Sequence, residues 1–268
     1  MALGTKATAA VRLAPGGSAT RNARSAARPP RGDGTEAAIG GLILEPANVL
    51  YDATLWRREV VRLLGRLHVP ATYPEFFQRW DRDYLVDVQQ GFRQYDEAFG
   101  AFLLSAGLSW GQIDEVEAFA RQQRHDYEEN VRPLPAVVAT LTELARRGLP
   151  LVALCDASHP AAALERRIER LGLGGLFLKV LSSLDLGAAK PAAACYRAAL
   201  DVLDLPADAV AFVGCDRRSL DGAAACRLRT IALNCQEPVQ ADARLSSFAE
   251  LVDLVEEGFA VGDREVSS

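Results

Sequence analysis

Apolar residues follow two different periods along the chain, and the change between them divides the sequence. A short apolar run at residues 41–44 is followed by Glu45 and Pro46, a pattern typical of a buried strand that ends at a proline. Residues 53–130 then carry apolar side chains at helical spacing, with many aromatic residues. Further along, short apolar runs alternate with helical stretches. The strands predicted there cover residues 149–154, 178–181, 209–213 and 230–233, the last of these being the final strand.

This alternation of strands and helices predicts βαβ units and therefore a parallel sheet. The expected fold is α/β, a doubly wound Rossmann-like parallel sheet with an α-helical cap inserted after the first strand. Residues 39–52 and 132–258 are expected to form the core, and residues 53–131 the cap. The insert is far longer than an ordinary connection between strand and helix. Because ligands of such sheets bind beyond the carboxyl ends of the strands, the cap is expected to cover that crevice.

The two ends of the chain are predicted to be disordered tails, at residues 1–38 and 259–268. The first is rich in Ala, Gly, Arg, Ser and Pro and has no apolar period. It carries six basic and two acidic residues, whereas the whole chain has a net charge of −5, so the remainder carries −9. An acidic body of this kind argues against nucleic-acid binding.

The sequence also argues against a membrane protein and against a disulfide framework. No apolar run approaches the length that spans a bilayer. Five cysteines form an odd set without CxxC spacing, which favours free thiols and a cytoplasmic protein. The Arg-rich first segment has the composition of a transit peptide but lacks an amphipathic stripe. The cysteines are Cys155, Cys195, Cys215, Cys226 and Cys235.

Four loops follow the predicted strands, and a ligand of the crevice would contact them. The first loop reads Glu-Pro-Ala-Asn-Val-Leu over residues 45–50. The second contains Cys155, Asp156 and Ser158. The third has Lys190 directly before a proline, at the start of a predicted helix. These loops therefore hold the candidate site residues.

The fourth loop reads Val-Gly-Cys-Asp from residue 213, with Asp216 and then Asp221 before a Gly-Ala pair. In order and spacing the four loops resemble the motifs of the haloacid dehalogenase-like (HAD-like) hydrolase superfamily, in its subgroup with a helical cap. That family has Asp-x-Asp-Gly-Thr-Leu in the first loop, Ser or Thr before Asn in the second, Lys-Pro in the third and two acids in the fourth. The likeness covers about residues 40–235.

The resemblance implies attack by an aspartate carboxylate on a phosphoryl group or a carbon, through a covalent intermediate. Glu45 stands at the nucleophile position, where its extra methylene displaces the oxygens by about 1–1.5 Å and can cost roughly 100-fold in rate. Ala47 stands at the acid/base position and removes a proton transfer that contributes about 10²–10⁴-fold. We therefore predict a catalytically impaired member that acts as a ligand-binding or regulatory pseudoenzyme.

Two other functions stay open on the sequence. One is a divergent active hydrolase, of the phosphatase or dehalogenase type, that acts on a small molecule through Glu45. The other is a structural interaction module in which an aromatic cluster of the cap contacts a partner, although such a cluster is more often the core of the cap. The cluster consists of Phe76, Phe77, Trp80 and Tyr84.

Glu45 and Lys190 are the predicted catalytic residues, and the resemblance also implies where a ligand would bind. Lys190 is expected to hold a small anionic molecule together with three residues of the second loop. Those residues are Cys155, Asp156 and Ser158.

Metal ligands are predicted from the same loops. Mg²⁺ is the cofactor that the resemblance implies, and it would take its ligands from oxygen atoms. The oxygen ligands are those of Glu45, the Ala47 carbonyl and either Asp216 or Asp221. A softer site for Zn²⁺ would combine Cys155 and Cys215 with His159 and Asp216. Since buried cysteines are usually small core residues, zinc is not expected.

Overall fold

The computed structural model describes residues 38–235 and 237–258. Apart from Ala38, the tails predicted to be disordered lie outside the described residues. The strands are β1 (Gly41–Leu44), β2 (Leu151–Cys155), β3 (Lys179–Ser182), β4 (Val210–Gly214), β5 (Arg229–Leu233) and β6 (Ala243–Leu245).

Eleven α-helices lie within the described residues. A π-helical turn at Asp81–Leu85 joins the second helix to the third, and a 3-10 turn at Ala207–Ala209 precedes β4. None of these helices, as far as the chain is described, combines the length and apolar character that crossing a membrane requires. The helices are α1 (Leu55–Arg66), α2 (Tyr73–Trp80), α3 (Val86–Gln89), α4 (Tyr95–Ser105), α5 (Trp110–Asn130), α6 (Val137–Arg146), α7 (Ala161–Arg170), α8 (Ser183–Leu186), α9 (Ala193–Leu203), α10 (Arg217–Ala225) and α11 (Glu250–Glu257).

The strands form one parallel sheet in the order β3-β2-β1-β4-β5-β6. Strand β1 is therefore central, with Leu44 paired to Ala153 of β2 on one side and to Val213 of β4 on the other. The α/β Rossmann-like prediction is confirmed. Because all strands run the same way, the residues that follow β1, β2 and β4 come together at one edge of the sheet.

Both faces of the sheet are buried, as expected for parallel strands covered by helices. Successive side chains of a strand point to opposite faces. In β1, Leu42 and Leu44 join one apolar cluster, whereas Ile43 joins the cluster on the other face. This alternation explains why the strands read as continuous apolar runs.

The prediction that the strand at 230–233 is the last one is wrong, because β6 pairs with β5 in parallel and α11 follows it. The β6 segment has three residues, and Arg244 at its centre is exposed, so it carries no apolar signal of its own. Its position is fixed by Asp242, whose carboxylate accepts hydrogen bonds from the N–H and hydroxyl of Thr230 at 2.8 and 3.0 Å.

Residues 55–130, here called the helical insert, are built from α1 to α5 and contain a separate apolar core. Trp80 is fully buried at its centre, with its ring 5.2–6.1 Å from those of four neighbours. Phe76 and Phe77 are also buried, and Tyr84 packs against the same cluster. These aromatic side chains form the core of the insert rather than an exposed contact surface. The neighbours of Trp80 are Tyr84, Tyr95, Phe99 and Phe102.

The stability of the insert is expected to depend on Trp80. Trp80→Ala should lower the free energy of unfolding by about 3–5 kcal/mol, because it empties the centre of an aromatic core. The matched change Trp110→Ala alters a tryptophan that is 71% exposed and should have little effect. Urea unfolding followed by circular dichroism measures both variants, and equal losses would contradict the assignment of Trp80 to the core.

Candidate functional site

Glu45 lies at the carboxyl end of the central strand, directly after β1. Its N–H donates to the carbonyl of Val213 at 3.0 Å, which continues the pairing with β4 by one residue. Pro46 then ends the strand, and the chain turns tightly through Asn48 at a positive φ of 60°. The Asn48 N–H donates to the carbonyl of Tyr51 at 2.7 Å. The turn returns the chain over the strand end, and Glu45 is left 8% exposed.

The buried ammonium of Lys190 links the first, second and third loops. Its Nζ lies 3.1 Å from Glu45 Oε1 and 3.3 Å from Asp156 Oδ2, and the side chain is completely buried. The ammonium is in contact with both carboxylates, so opposite charge holds the three groups together. The backbone N–H of Lys190 also donates to Asp156 Oδ1 at 3.0 Å. We refer to Glu45, Lys190 and Asp156 as the charge cluster.

Burial and charge act against each other in this cluster. Burial alone would lower the pKa of Lys190, but the carboxylates of Asp156 and Glu45 outweigh it and raise that pKa well above 10.5. Burial raises the pKa of Glu45 above its ordinary value, while the charge of Lys190 opposes the rise. Lys190 is therefore a cation at neutral pH, and its charge must be balanced inside the protein.

Cys215 lies on the other side of the Glu45 carboxylate. Its backbone N–H donates to Glu45 Oε2 at 3.3 Å. Its Sγ lies 3.7 Å from the same oxygen and 3.6 Å from the carbonyl oxygen of Ala47. Burial, followed by the nearby charge of Glu45, raises the pKa of the Cys215 thiol. The thiol is thus neutral and acts as a weak donor to both oxygens.

The fourth loop brings Asp216, and not Asp221, to this place. Ligand atoms of Glu45, Cys215 and Asp216 all lie within 4.8 Å of one another. Asp216 also begins α10, where its carboxylate accepts hydrogen bonds from the N–H and hydroxyl of Ser219 at 2.9 and 2.7 Å. Asp221 is exposed on the surface of the same helix.

The donor set does not fit Mg²⁺. The ion takes oxygen ligands in a nearly octahedral arrangement. Here the thiol of Cys215 contacts an oxygen of Glu45 and the carbonyl oxygen of Ala47, two of the predicted oxygen ligands. Both oxygens of Asp216 already accept hydrogen bonds. The site as it stands therefore offers sulfur where Mg²⁺ requires oxygen.

The predicted zinc ligands do not come together either. Within the described residues, the one cluster of potential ligands contains Cys215 and Asp216 but neither Cys155 nor His159. His159 is exposed, and its carbonyl accepts a hydrogen bond from Ser182 at 2.6 Å. Cys155 is buried at the end of β2, where burial raises the pKa of its thiol to about 12. Cys155 is accordingly a small core residue next to the charge cluster.

A serine outside the predicted site residues, Ser183, contacts the second loop. Ser158 is half-buried in the second loop. The buried hydroxyl of Ser183 accepts a hydrogen bond from the N–H of Ala157 at 3.0 Å and donates to the carbonyl of Gln89 at 2.8 Å. It thus connects the second loop to the helical insert. The one feature of the sequence that could have pointed to Ser183 is its position directly after β3.

A second connection between core and insert was also missed by sequence reasoning. Arg167 on α7 donates to both carboxylate oxygens of Glu128 on α5, and at 2.9 Å to the hydroxyl of Tyr51. Burial raises the pKa of Tyr51 to about 12, so its hydroxyl stays neutral and accepts this bond. The three residues are far apart in sequence, and no local pattern relates them.

The site places a carboxylate and a buried lysine together at the end of a central parallel strand, and the chain also matches a known family. The family model of haloacid dehalogenase-like hydrolases matches residues 47–225, about two thirds of the chain. The chain therefore belongs to the HAD-like hydrolase superfamily. The matched region begins two residues after Glu45, the residue at the position of the family's nucleophilic aspartate.

Solved structures with the same fold include dehalogenases. An L-2-haloacid dehalogenase is 22% identical with a TM-score of 0.63, and the alignment covers 82% of this chain and 99% of that one. A 2-haloacid dehalogenase from Pseudomonas syringae pv. tomato DC3000 is 20% identical with a TM-score of 0.53, covering 82% and 99%. At these identities the likeness shows the fold.

A magnesium-bound relative is also similar. The Bacillus subtilis protein YfnB, whose structure was determined bound to magnesium, is 16% identical with a TM-score of 0.62, covering 82% of this chain and 99% of that one. Hydrolases of this family commonly use Mg²⁺. No curated protein sequence matches the chain.

The charge cluster is expected to respond strongly to loss of its cation. Lys190→Met should lower the free energy of unfolding by about 3–5 kcal/mol, because it leaves two carboxylates buried without a partner. Lys179→Met, at an exposed lysine that begins β3, is the matched control and should leave stability unchanged. Urea titration measures both. A loss in Lys190→Met no larger than in the control would show that the cluster is not structurally important.

Cys155 is expected to make the fold sensitive to alkaline pH. Its pKa is about 12 in the folded protein against an ordinary value of 9.0. The stability that this shift contributes is complete below pH 9 and is lost as pH rises towards 12, by about 1 kcal/mol between pH 8 and pH 10. In Cys155→Ala, urea midpoints should start lower but fall less over that range. Cys226→Ala, at a partly exposed thiol, should keep a slope close to that of the natural chain.

Proposed function

We propose that this chain is a HAD-like protein that has lost the hydrolytic step and acts as a ligand-binding or regulatory pseudoenzyme. One observation carries the proposal: Ala47, two residues after the carboxylate of Glu45, has a methyl group where the phosphatases of the family have an aspartate that handles protons. Its backbone carbonyl faces Cys215 at 3.6 Å. A group that cannot exchange a proton cannot assist a leaving group or activate water.

No neighbouring group supplies the missing proton transfer within the described part of the site. Lys190 keeps its proton because its pKa is raised well above 10.5. The thiol of Cys215 also keeps its proton, since burial raises its pKa. Asp216 is fixed at the start of α10 by two hydrogen bonds from Ser219. General acid–base catalysis works best when the pKa lies near the operating pH, and neither Lys190 nor Cys215 meets that condition.

The position of Glu45 supports a second candidate, a divergent hydrolase that uses this carboxylate as its nucleophile. Lys190 contacts one of its oxygens and the N–H of Cys215 contacts the other. A nucleophile needs such orientation. The same contacts, however, bind the charge of Glu45 in a buried ion pair, which favours a structural role for this carboxylate.

Ligand binding remains available to the crevice. The Nζ of Lys190 has three N–H groups and lies 3.1 Å from Glu45 and 3.3 Å from Asp156. A small anionic molecule could take such donors in place of a carboxylate. The helical insert would act as the cap, since it reaches the loops of the crevice through the contact between Ser183 and Gln89.

Free thiols support a cytoplasmic setting for this function. The five cysteines are unpaired in the structure, and burial raises the pKa of the thiols of Cys155, Cys195 and Cys215. Unpaired cysteines are usual where the surroundings are reducing.

A turnover screen tests the loss of hydrolysis. The natural chain and Glu45→Ala should show equal, background-level rates on phosphate monoesters with Mg²⁺ and on 2-haloacids, with released phosphate and halide as readouts. A rate in the natural chain at least tenfold above that of Glu45→Ala would overturn the pseudoenzyme and support the hydrolase. Glu59→Ala alters a partly exposed glutamate of α1 away from the cluster and serves as the control variant.

A further inference from the structure

The sulfur of Cys215 occupies a particular place at the end of β4. It lies 3.7 Å from Glu45 Oε2 and 3.6 Å from the Ala47 carbonyl oxygen. The sulfur is therefore nearly equidistant from these two oxygens, which both belong to the first loop. A cation shared by these oxygens would lie in the same gap.

The gap cannot hold both the thiol and a magnesium ion. Mg²⁺ binds its oxygens at about 2.0–2.1 Å. A sulfur atom in contact with both oxygens competes with an ion for the space next to them, and thiols are poor ligands for this hard ion. The backbone of Cys215 is also fixed, because its N–H donates to Glu45 Oε2. Entry of the ion would require the side chain to leave and one of its oxygen partners to lose a donor.

We infer that the thiol of Cys215 stands in for a divalent cation, bridging Glu45 and the Ala47 carbonyl, so that the crevice is assembled and binds ligands without metal. In this arrangement Cys215 is a positioning residue. Its S–H and N–H groups direct Oε2 of Glu45, while Lys190 holds Oε1.

The charges around the crevice are consistent with a neutral group at this position. Lys190 is in contact with two carboxylates, Glu45 and Asp156, and Asp216 lies close by. A further carboxylate at position 215 would add negative charge beside Glu45, and like charges at such distances repel unless a cation separates them. A thiol avoids this repulsion, whereas a metal site would need the added carboxylate.

This reasoning predicts that one substitution creates a dependence on Mg²⁺. In Cys215→Asp the full-length protein should melt at a lower temperature than the natural chain in EDTA. Mg²⁺ at ten times its dissociation constant should then raise the Tm of that variant by about 3–6 °C. The natural chain should show no shift. Thermal unfolding with and without Mg²⁺ measures the difference.

Two matched variants separate a metal site from a general effect of the substitution. Cys215→Ser keeps a small neutral side chain at the same position and should show no shift with Mg²⁺. Cys226→Asp introduces the same carboxylate at a partly exposed cysteine away from Glu45 and should also show none. A shift confined to Cys215→Asp supports the inference, whereas equal shifts in all variants overturn it.

The natural chain gives a decisive result even if Cys215→Asp does not fold. Calorimetric titration with Mg²⁺, and equilibrium dialysis against Zn²⁺ followed by metal analysis, should find no stoichiometric ion. Saturable binding of either ion that disappears in Glu45→Gln would overturn the inference. Metal binding and turnover are separate readouts, so a metal-free natural chain that nevertheless hydrolyses a substrate would refute the proposed loss of hydrolysis and leave the role of Cys215 intact.

Discussion

The need to balance the buried charge of Lys190 determines how the loops at the end of the sheet are arranged. Its ammonium has no access to solvent and lies within 3.3 Å of both Glu45 and Asp156. Removing a charge of this kind from water is costly unless opposite charges surround it. The loops after β1 and β2 and the segment before α9 must therefore converge. The strand order makes this possible, because β1 and β2 are neighbours in a parallel sheet.

The same contacts that stabilise the cluster limit its chemistry. One oxygen of Glu45 faces Lys190, and the other faces the N–H and thiol of Cys215. A carboxylate with both oxygens engaged is well oriented but partly neutralised, so its attack on a substrate would first have to weaken these contacts. Ala47 contributes no proton to offset that cost. The contacts that stabilise the cluster and the proposed loss of turnover thus involve the same residues, those that replace the family motifs.

Sequence patterns predicted the sheet and the helical stretch after β1, because both depend on the local spacing of apolar residues. They also predicted the residues of the charge cluster, because these lie in loops that follow strands or precede a helix. They did not predict β6, whose three residues are held by pairing with β5 and by Asp242. They left Asp216 and Asp221 as alternatives, since the choice depends on how the fourth loop turns into α10. The bridging position of the Cys215 thiol is a contact across 170 residues, which no local pattern encodes.

The helical insert is connected to the charge cluster through a short chain of hydrogen bonds. Ser183 accepts from the N–H of Ala157, the residue after Asp156, and donates to the carbonyl of Gln89 in the insert. A ligand that draws Asp156 away from Lys190 would move Ala157 and so disturb the bond that Ser183 makes to the insert. Ser183 is thus a direct link between the loop that carries Asp156 and the helical insert. A ligand can shift such an equilibrium only as far as it contacts the two arrangements differently.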